Sequence, residues 1–118
     1  MKRILIVDDN PGVQDAIRLV FGPEQYEVSI YGNGAPLLEG TCGIPDIYIL
    51  DKQLSGVDGL DICRFLKSGA STRHVPVIMI SASPYALRFA AEAGADEVLE
   101  KPFSMEQIRA LVKKHTGG

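Results

Sequence analysis

Cysteine, long apolar runs and runs of positive charge are all scarce in this sequence, and each scarcity closes off a class of function. The only cysteines, Cys42 and Cys63, stand far apart without CxxC spacing. With no secretion signal they read as reduced thiols, so neither a disulfide nor a zinc site is expected. Apolar stretches such as Ile47 to Leu50 are a handful of residues long, against the roughly 20 that a membrane-spanning helix needs. No signal-peptide core follows Met1-Lys2-Arg3, and a soluble, cytoplasmic protein without a membrane partner is expected. Positive charge never runs beyond Lys113-Lys114, and the formal net charge is -3. The phosphate backbone of a nucleic acid would meet no basic face, so direct nucleic-acid binding is not expected.

What is present suits one domain. A chain of 118 residues that is 46% hydrophobic can bury one core but not two. Residues 1–118 are therefore expected to form a single domain, with nothing before it, since Met1 stands just ahead of the first apolar run.

Five apolar or alternating runs are each followed by a stretch with helical spacing: Arg3 to Val7, Tyr26 to Tyr31, Asp46 to Leu50, Val77 to Ser81 and Glu97 to Leu99. Strands alternating with helices imply an α/β fold with a parallel sheet. Asn10 and Pro11 predict the start of a first helix that turns Val13, Ala16, Ile17 and Val20 inward and stops at Gly22. A short second helix is predicted near Ala35 to Glu39, and a third over Leu60 to Lys67 with Ile62, Cys63 and Leu66 inward. Ser83 and Pro84 open a fourth, ending at Gly94, with Ala86, Phe89, Ala90 and Ala93 inward and Tyr85, Leu87 and Arg88 outward. A fifth, about Ser104 to His115, buries Ile108, Leu111 and Val112.

Central strands of a parallel sheet are covered on both faces and become continuously apolar. Ile4 to Val7, Ile47 to Leu50 and Val77 to Ile80 qualify, whereas the second strand alternates and the fifth is flanked by charge. The second and fifth are thus expected at the edges. Right-handed crossovers then leave orders such as 2-1-3-4-5 and 2-3-1-4-5 open.

Ligands of open α/β sheets gather beyond the carboxyl ends of the strands, near the point where strand order reverses. The polar residues there are Asp8, Asp9, Asp51, Ser81 and Lys101. Singly, each reads as a turn, cap or solvated loop residue. Together, carboxylates about 5 Å apart repel by about 3 kcal/mol at an effective dielectric near 20, and a hard divalent cation removes the conflict. Mg²⁺ prefers oxygen ligands and sits on a few carboxylates plus phosphate oxygens, so the cluster points to phosphoryl chemistry.

Four segments carry a resemblance: ILIVDD at Ile4 to Asp9, DKQLSGVDG at Asp51 to Gly59, Ser81-Ala82 after the fourth strand, and AGADEVLEKPF at Ala93 to Phe103. In this order, at the ends of strands one, three, four and five, they resemble the receiver domains of two-component response regulators across essentially the whole chain. The resemblance implies a flavodoxin-like doubly wound sheet of five strands in the order 2-1-3-4-5, with five helices. It implies that Asp51 is the phosphoacceptor and that Asp8, Asp9, Asp51 and the backbone carbonyl of Gln53 position Mg²⁺. Lys101 would pair with the acceptor and then with the phosphoryl oxygens, Ser81 would be the switch hydroxyl, and small Ala82 would leave room for the phosphoryl group. The implied partners are a histidine kinase or phosphotransfer protein, a downstream effector protein or domain, and a second copy in a phosphorylation-dependent homodimer. The chain itself would not be an enzyme.

Departures from the pattern are few. Ser55 stands where the family often has proline, with Gly56 still permitting the turn, and Gln53 and Ser83 occupy the variable places that tune hydrolysis of the aspartyl phosphate. Val98 replaces the usual aromatic residue coupled to the switch hydroxyl. The resemblance also implies a cis Lys101–Pro102 bond, where the general preference of X-Pro bonds is trans. Two other functions are weighed. A Mg²⁺-dependent phosphatase of the haloacid-dehalogenase type would need D-x-D-x-T/V where this chain reads Asp8-Asp9-Asn10-Pro11. A degenerate receiver that binds partners without phosphorylation is opposed by the intact Asp8, Asp9, Asp51, Ser81 and Lys101. Gly32-Asn33-Gly34 reads as a turn and not a nucleotide loop, and His74 and His115 read as solvated.

Overall fold

The computed structural model describes residues 1–54 and 57–117. Five strands and five helices alternate along them: β1 Lys2–Val7, α1 Pro11–Val20, β2 Tyr26–Tyr31, α2 Ala35–Glu39, β3 Ile47–Asp51, α3 Gly59–Ser68, β4 Val77–Ser81, α4 Pro84–Leu87, β5 Glu97–Glu100 and α5 Met105–Thr116. All pairings are parallel, in the order β2-β1-β3-β4-β5. The doubly wound, flavodoxin-like sheet expected from the sequence is therefore present, with the charged strands at its edges. The turn expected at Ser55 and Gly56 lies outside the described residues.

Alternation along each strand divides the core in two. Leu5, Val7, Tyr48, Leu50, Val77 and Met79 meet Leu37 of α2 and Leu60, Cys63 and Leu66 of α3. Ile4, Ile6, Ile47, Ile49, Ile78 and Ile80 face the other way, onto Ile17 of α1 and Ile108 and Val112 of α5. Burying each such side chain contributes about 1.5–3 kcal/mol, so two helical layers clamp the central strands and fix where their carboxyl ends lie.

The helix starts follow their capping residues. Asn10 Oδ1 accepts from the Gly12 and Val13 N–H groups, with Pro11 in the first turn. Ser104 and Gln107 form a reciprocal capping box on α5. Phe21, and not Gly22, caps the end of α1, and β3 runs one residue further than expected because Asp51 still pairs with Ile80.

The fourth helix differs most. Only Pro84–Leu87 is α-helical, and the chain continues to Gly94 in turns closed mainly by i to i−3 bonds, such as Arg88 N–H to Tyr85 and Ala90 N–H to Leu87. A tighter winding brings residues three apart into line. Leu87 therefore turns in, half-buried, with Ala90 and Ala93, and Phe89 turns out against Tyr85 at a ring separation of 5.4 Å. Both assignments reverse the expectation. Leu111 is half-buried and not buried. His74 is exposed as expected, but the His115 side chain is only 20% exposed, with Nε2 3.5 Å from Glu97 Oε1, because the last turn of α5 sets Lys114 and His115 against the first residue of β5.

Candidate functional site

The site grows out of register. Val7 of β1 is level with Leu50 of β3, so the residues that follow, Asp8 and Asp51, emerge side by side where the strand order reverses. Asp51 is level with Ile80 of β4, and Ser81 with Glu100 of β5, just before Lys101.

Each carboxylate is held from two sides. Asp8 is fully buried: its Oδ1 accepts the Asn10 N–H at 2.9 Å and its Oδ2 accepts Lys101 Nζ at 3.0 Å. Asp51, nearly as buried, accepts the Gln53 N–H on Oδ1 at 3.1 Å and the same Lys101 ammonium on Oδ2 at 3.1 Å. Lys101 thus bridges the two. Burial raises the Asp8 carboxyl above its ordinary value, and the nearby Asp51 adds to this against the pull of the Asn10 N–H and Lys101. Burial disfavours the Lys101 ammonium, but its bonds to both carboxylates prevail and hold it above its ordinary value.

Asp9 is exposed, and one oxygen from each of Asp8, Asp9 and Asp51 lies within 4.8 Å of the others. Three hard oxygen donors this close together, two of them bridged by the Lys101 ammonium, fit a small divalent cation. The Ser81 hydroxyl is fully buried and accepts the Ser83 N–H at 3.1 Å, while the Ser83 hydroxyl accepts the Ala86 N–H at 3.3 Å as the cap of α4. Lys101 N–H donates to the Ser81 carbonyl at 2.8 Å, and the Lys101–Pro102 bond is cis. A recess of about 410 Å³ opens beside Lys101, between Val13 and Ala16 of α1 and Pro102 and Phe103.

The structure therefore brings Asp8, Asp9, Asp51 and Lys101 into one cluster, with Gln53 joined to it through its N–H. Ser81 stands on the neighbouring strand and leads into α4. Sequence reading passed over two contributors. Gln14 Nε2 donates to the Asp8 carbonyl at 2.7 Å from the first turns of α1; its signal is a polar residue among the half-buried positions of an otherwise apolar face. Lys52 pairs with Asp58 at 3.0 Å, and here the signal is Asp58 itself, a helix cap just ahead of an apolar run.

A switch-point cluster of acids bridged by one lysine defines a class of site, one whose oxygen donors suit a hard cation. The comparisons place the chain within that class. The family profile described as the response regulator receiver domain matches residues 4–113, and the chain belongs to that family. It is 31% identical over 115 residues to the DNA-binding response regulator MtrA of Mycolicibacterium smegmatis, covering 95% of this chain and 49% of that protein. It is 34% identical over 116 residues to the response regulator ArlR of Staphylococcus epidermidis, covering 96% and 52%. The chain spans about half the length of the curated relatives it matches. Among solved structures it superposes on the signal receiver domain of a histidine kinase from Syntrophus aciditrophicus with a TM-score of 0.89 at 27% identity, covering 100% of this chain and 92% of that one. The receiver domain of the sensor histidine kinase PA1611 from Pseudomonas aeruginosa, which holds a magnesium ion in its active-site cleft, gives 0.88 at 24% identity and shares the fold over 99% of this chain and 98% of that one. Among the described residues no helix is long and apolar enough to cross a membrane.

Proposed function

We propose that residues 1–118 act as one phosphoacceptor receiver, in which Asp51 takes a phosphoryl group from the phosphohistidine of a histidine kinase or phosphotransfer protein. An Asp51 carboxylate oxygen forms the new P–O bond as the P–N bond to the donor breaks. The imidazole keeps the electron pair and takes up a proton from solvent. The observation that carries this reading is the Lys101 ammonium shared between Asp8 and Asp51 at 3.0 and 3.1 Å, with an Asp9 oxygen near enough to share an ion.

Asp8, Asp9, Asp51 and the Gln53 carbonyl would hold Mg²⁺. Bound there, the ion would neutralise carboxylate charge and stabilise charge on the phosphoryl oxygens. Lys101 orients the acceptor and then faces the phosphoryl group as a point charge. The Ser81 hydroxyl accepts from Ser83 and keeps its own hydrogen for the phosphoryl group. The chain is itself the group acceptor and not an enzyme acting on a separate substrate. It works in the cytoplasm, passes its state to an effector protein or domain or to a second copy, and contacts neither nucleic acid nor membrane directly.

Mass spectrometry after incubation with acetyl phosphate should show one added phosphoryl group with Mg²⁺ present, and none in Asp51→Asn or with the metal chelated. A modification that survives either change would remove Asp51 or the ion from these roles.

A further inference from the structure

The acceptor end of β3 is tied to the start of α3 by more than the chain between them. Gly59 N–H donates to the Lys52 carbonyl at 2.9 Å. Lys52 Nζ lies 3.0 Å from Asp58 Oδ2, while the other Asp58 oxygen accepts the Leu60 N–H at 2.8 Å as the cap of α3. One carboxylate therefore holds the strand end and the helix start at once. The approach is close: a Cβ on Gly59 would stand 2.2 Å from the Asp51 carbonyl oxygen and 2.8 Å from Lys52 Cα. Next to these ties is Gln53, whose N–H is anchored on Asp51 Oδ1.

We infer that the Lys52–Asp58 pair is a positioning clasp for metal binding, which holds the Gln53 peptide level with the Asp51 carboxylate before an ion arrives. The inference rests on the reading of Asp8, Asp9, Asp51 and the Gln53 carbonyl as the Mg²⁺ ligands. A carbonyl on a segment free to move must be ordered when the ion binds, and that ordering subtracts from affinity; a segment already fastened avoids most of it. Groups that orient a metal's ligands matter for this reason even though they never touch the ion.

Charge alone argues the opposite way, which makes the clasp testable. Removing the Lys52 ammonium leaves the surroundings of the ion more negative, so a purely coulombic role predicts tighter Mg²⁺ binding in Lys52→Met. The clasp predicts weaker binding. Mg²⁺ titrations followed by the backbone amide shifts of residues 8, 51 and 53 decide between them, with melts in the absence of Mg²⁺ to confirm folding. Lys52→Met should bind about tenfold more weakly, at the low end of losses seen when an outer partner of a metal ligand is removed. Lys52→Arg, which keeps the ion pair, should bind like the wild type. Asp58→Asn should weaken binding with the α3 amides in place, because asparagine still caps a helix. Equal or tighter binding by Lys52→Met overturns the clasp while leaving the metal site standing. A wild type without saturable shifts at residues 8 and 51 overturns both.

Discussion

Asp96, just ahead of β5, shows how much one side chain can organise away from the site. Its Oδ2 accepts Lys67 Nζ at 2.8 Å and the Val77 N–H at 2.9 Å, so it joins the end of α3 to the first residue of β4. Lys67 also donates to the Arg73 and Val75 carbonyls, and its stem lies against Gly94, where a Cβ would stand 2.8 Å from Lys67 Cγ and where the φ of 95° favours glycine. Partial burial opposes ionisation of Asp96, but the bonds from Lys67 and Val77 outweigh it and hold the carboxyl below its ordinary value of 3.8. A carboxyl depressed in the fold binds its proton more readily in the unfolded chain. Its contribution is thus complete above about pH 4 and is lost as pH falls through the depressed folded value. Asp96→Asn should lower stability at neutral pH by on the order of 1 kcal/mol, allowing for solvent screening at this half-exposed pair. The difference from wild type should shrink as urea melts are moved from about pH 6 toward about pH 3. A constant difference would mean that the Asp96 charge contributes nothing.

Among the elements, α4 is a single helical turn whose cap is bonded to a site hydroxyl. Ser81 Oγ accepts from Ser83 N–H, and Ser83 Oγ caps α4, so a Ser81 hydroxyl drawn toward a phosphoryl group would pull on the cap of a single helical turn. Val98 is half-exposed on β5 and, being β-branched, has few χ1 states with which to relay a signal by rotation. Beryllofluoride with Mg²⁺ should therefore shift amides across residues 82 to 93, and Ser81→Ala should remove most of that response. Shifts that persist in Ser81→Ala would move the switch elsewhere. The same element marks the limit of what the sequence discloses. Strands, their edge or central places, and the caps at Asn10 and Ser83 are local patterns and could be read directly. In residues 84 to 94 the inward Ala86, Ala90 and Ala93 follow from the spacing, but Leu87 takes the place of Phe89, because the chain winds more tightly there than 3.6 residues per turn. Of the site, Asp8, Asp9, Asp51, Ser81 and Lys101 were legible as strand-end polar residues. The Lys52–Asp58 pair was hidden, since it forms only once β3 and α3 are folded against each other.

For the molecule as a whole, the site gathers three carboxylates, two of them on the Lys101 ammonium, within a chain of formal net charge -3. A cation that binds only the folded form must then stabilise it by RT ln(1 + [L]/Kd), about 2.7 kcal/mol at a hundredfold excess over Kd. Melting should rise by several degrees as Mg²⁺ is added to the wild type. In Asp9→Ala, which changes an exposed residue and spares the core, the rise should largely disappear. An equal rise in that variant would place the ion somewhere else.

The position of Asp8, Asp51, Ser81 and Lys101 within one step of a strand end has a consequence for how such a protein can change over generations. Asp8, Asp51, Ser81 and Lys101 are ranked by the pairing of β1, β3, β4 and β5, which is set by apolar residues deep in the sheet. Gln53, Ala82 and Ser83 lie between those fixed points, on loops that bear little of the core. Substitutions there leave the apolar residues that pair the strands untouched, so these loops can vary while the fold is inherited intact. Loop sequence and architecture are thus separate traits of one chain, open to selection independently.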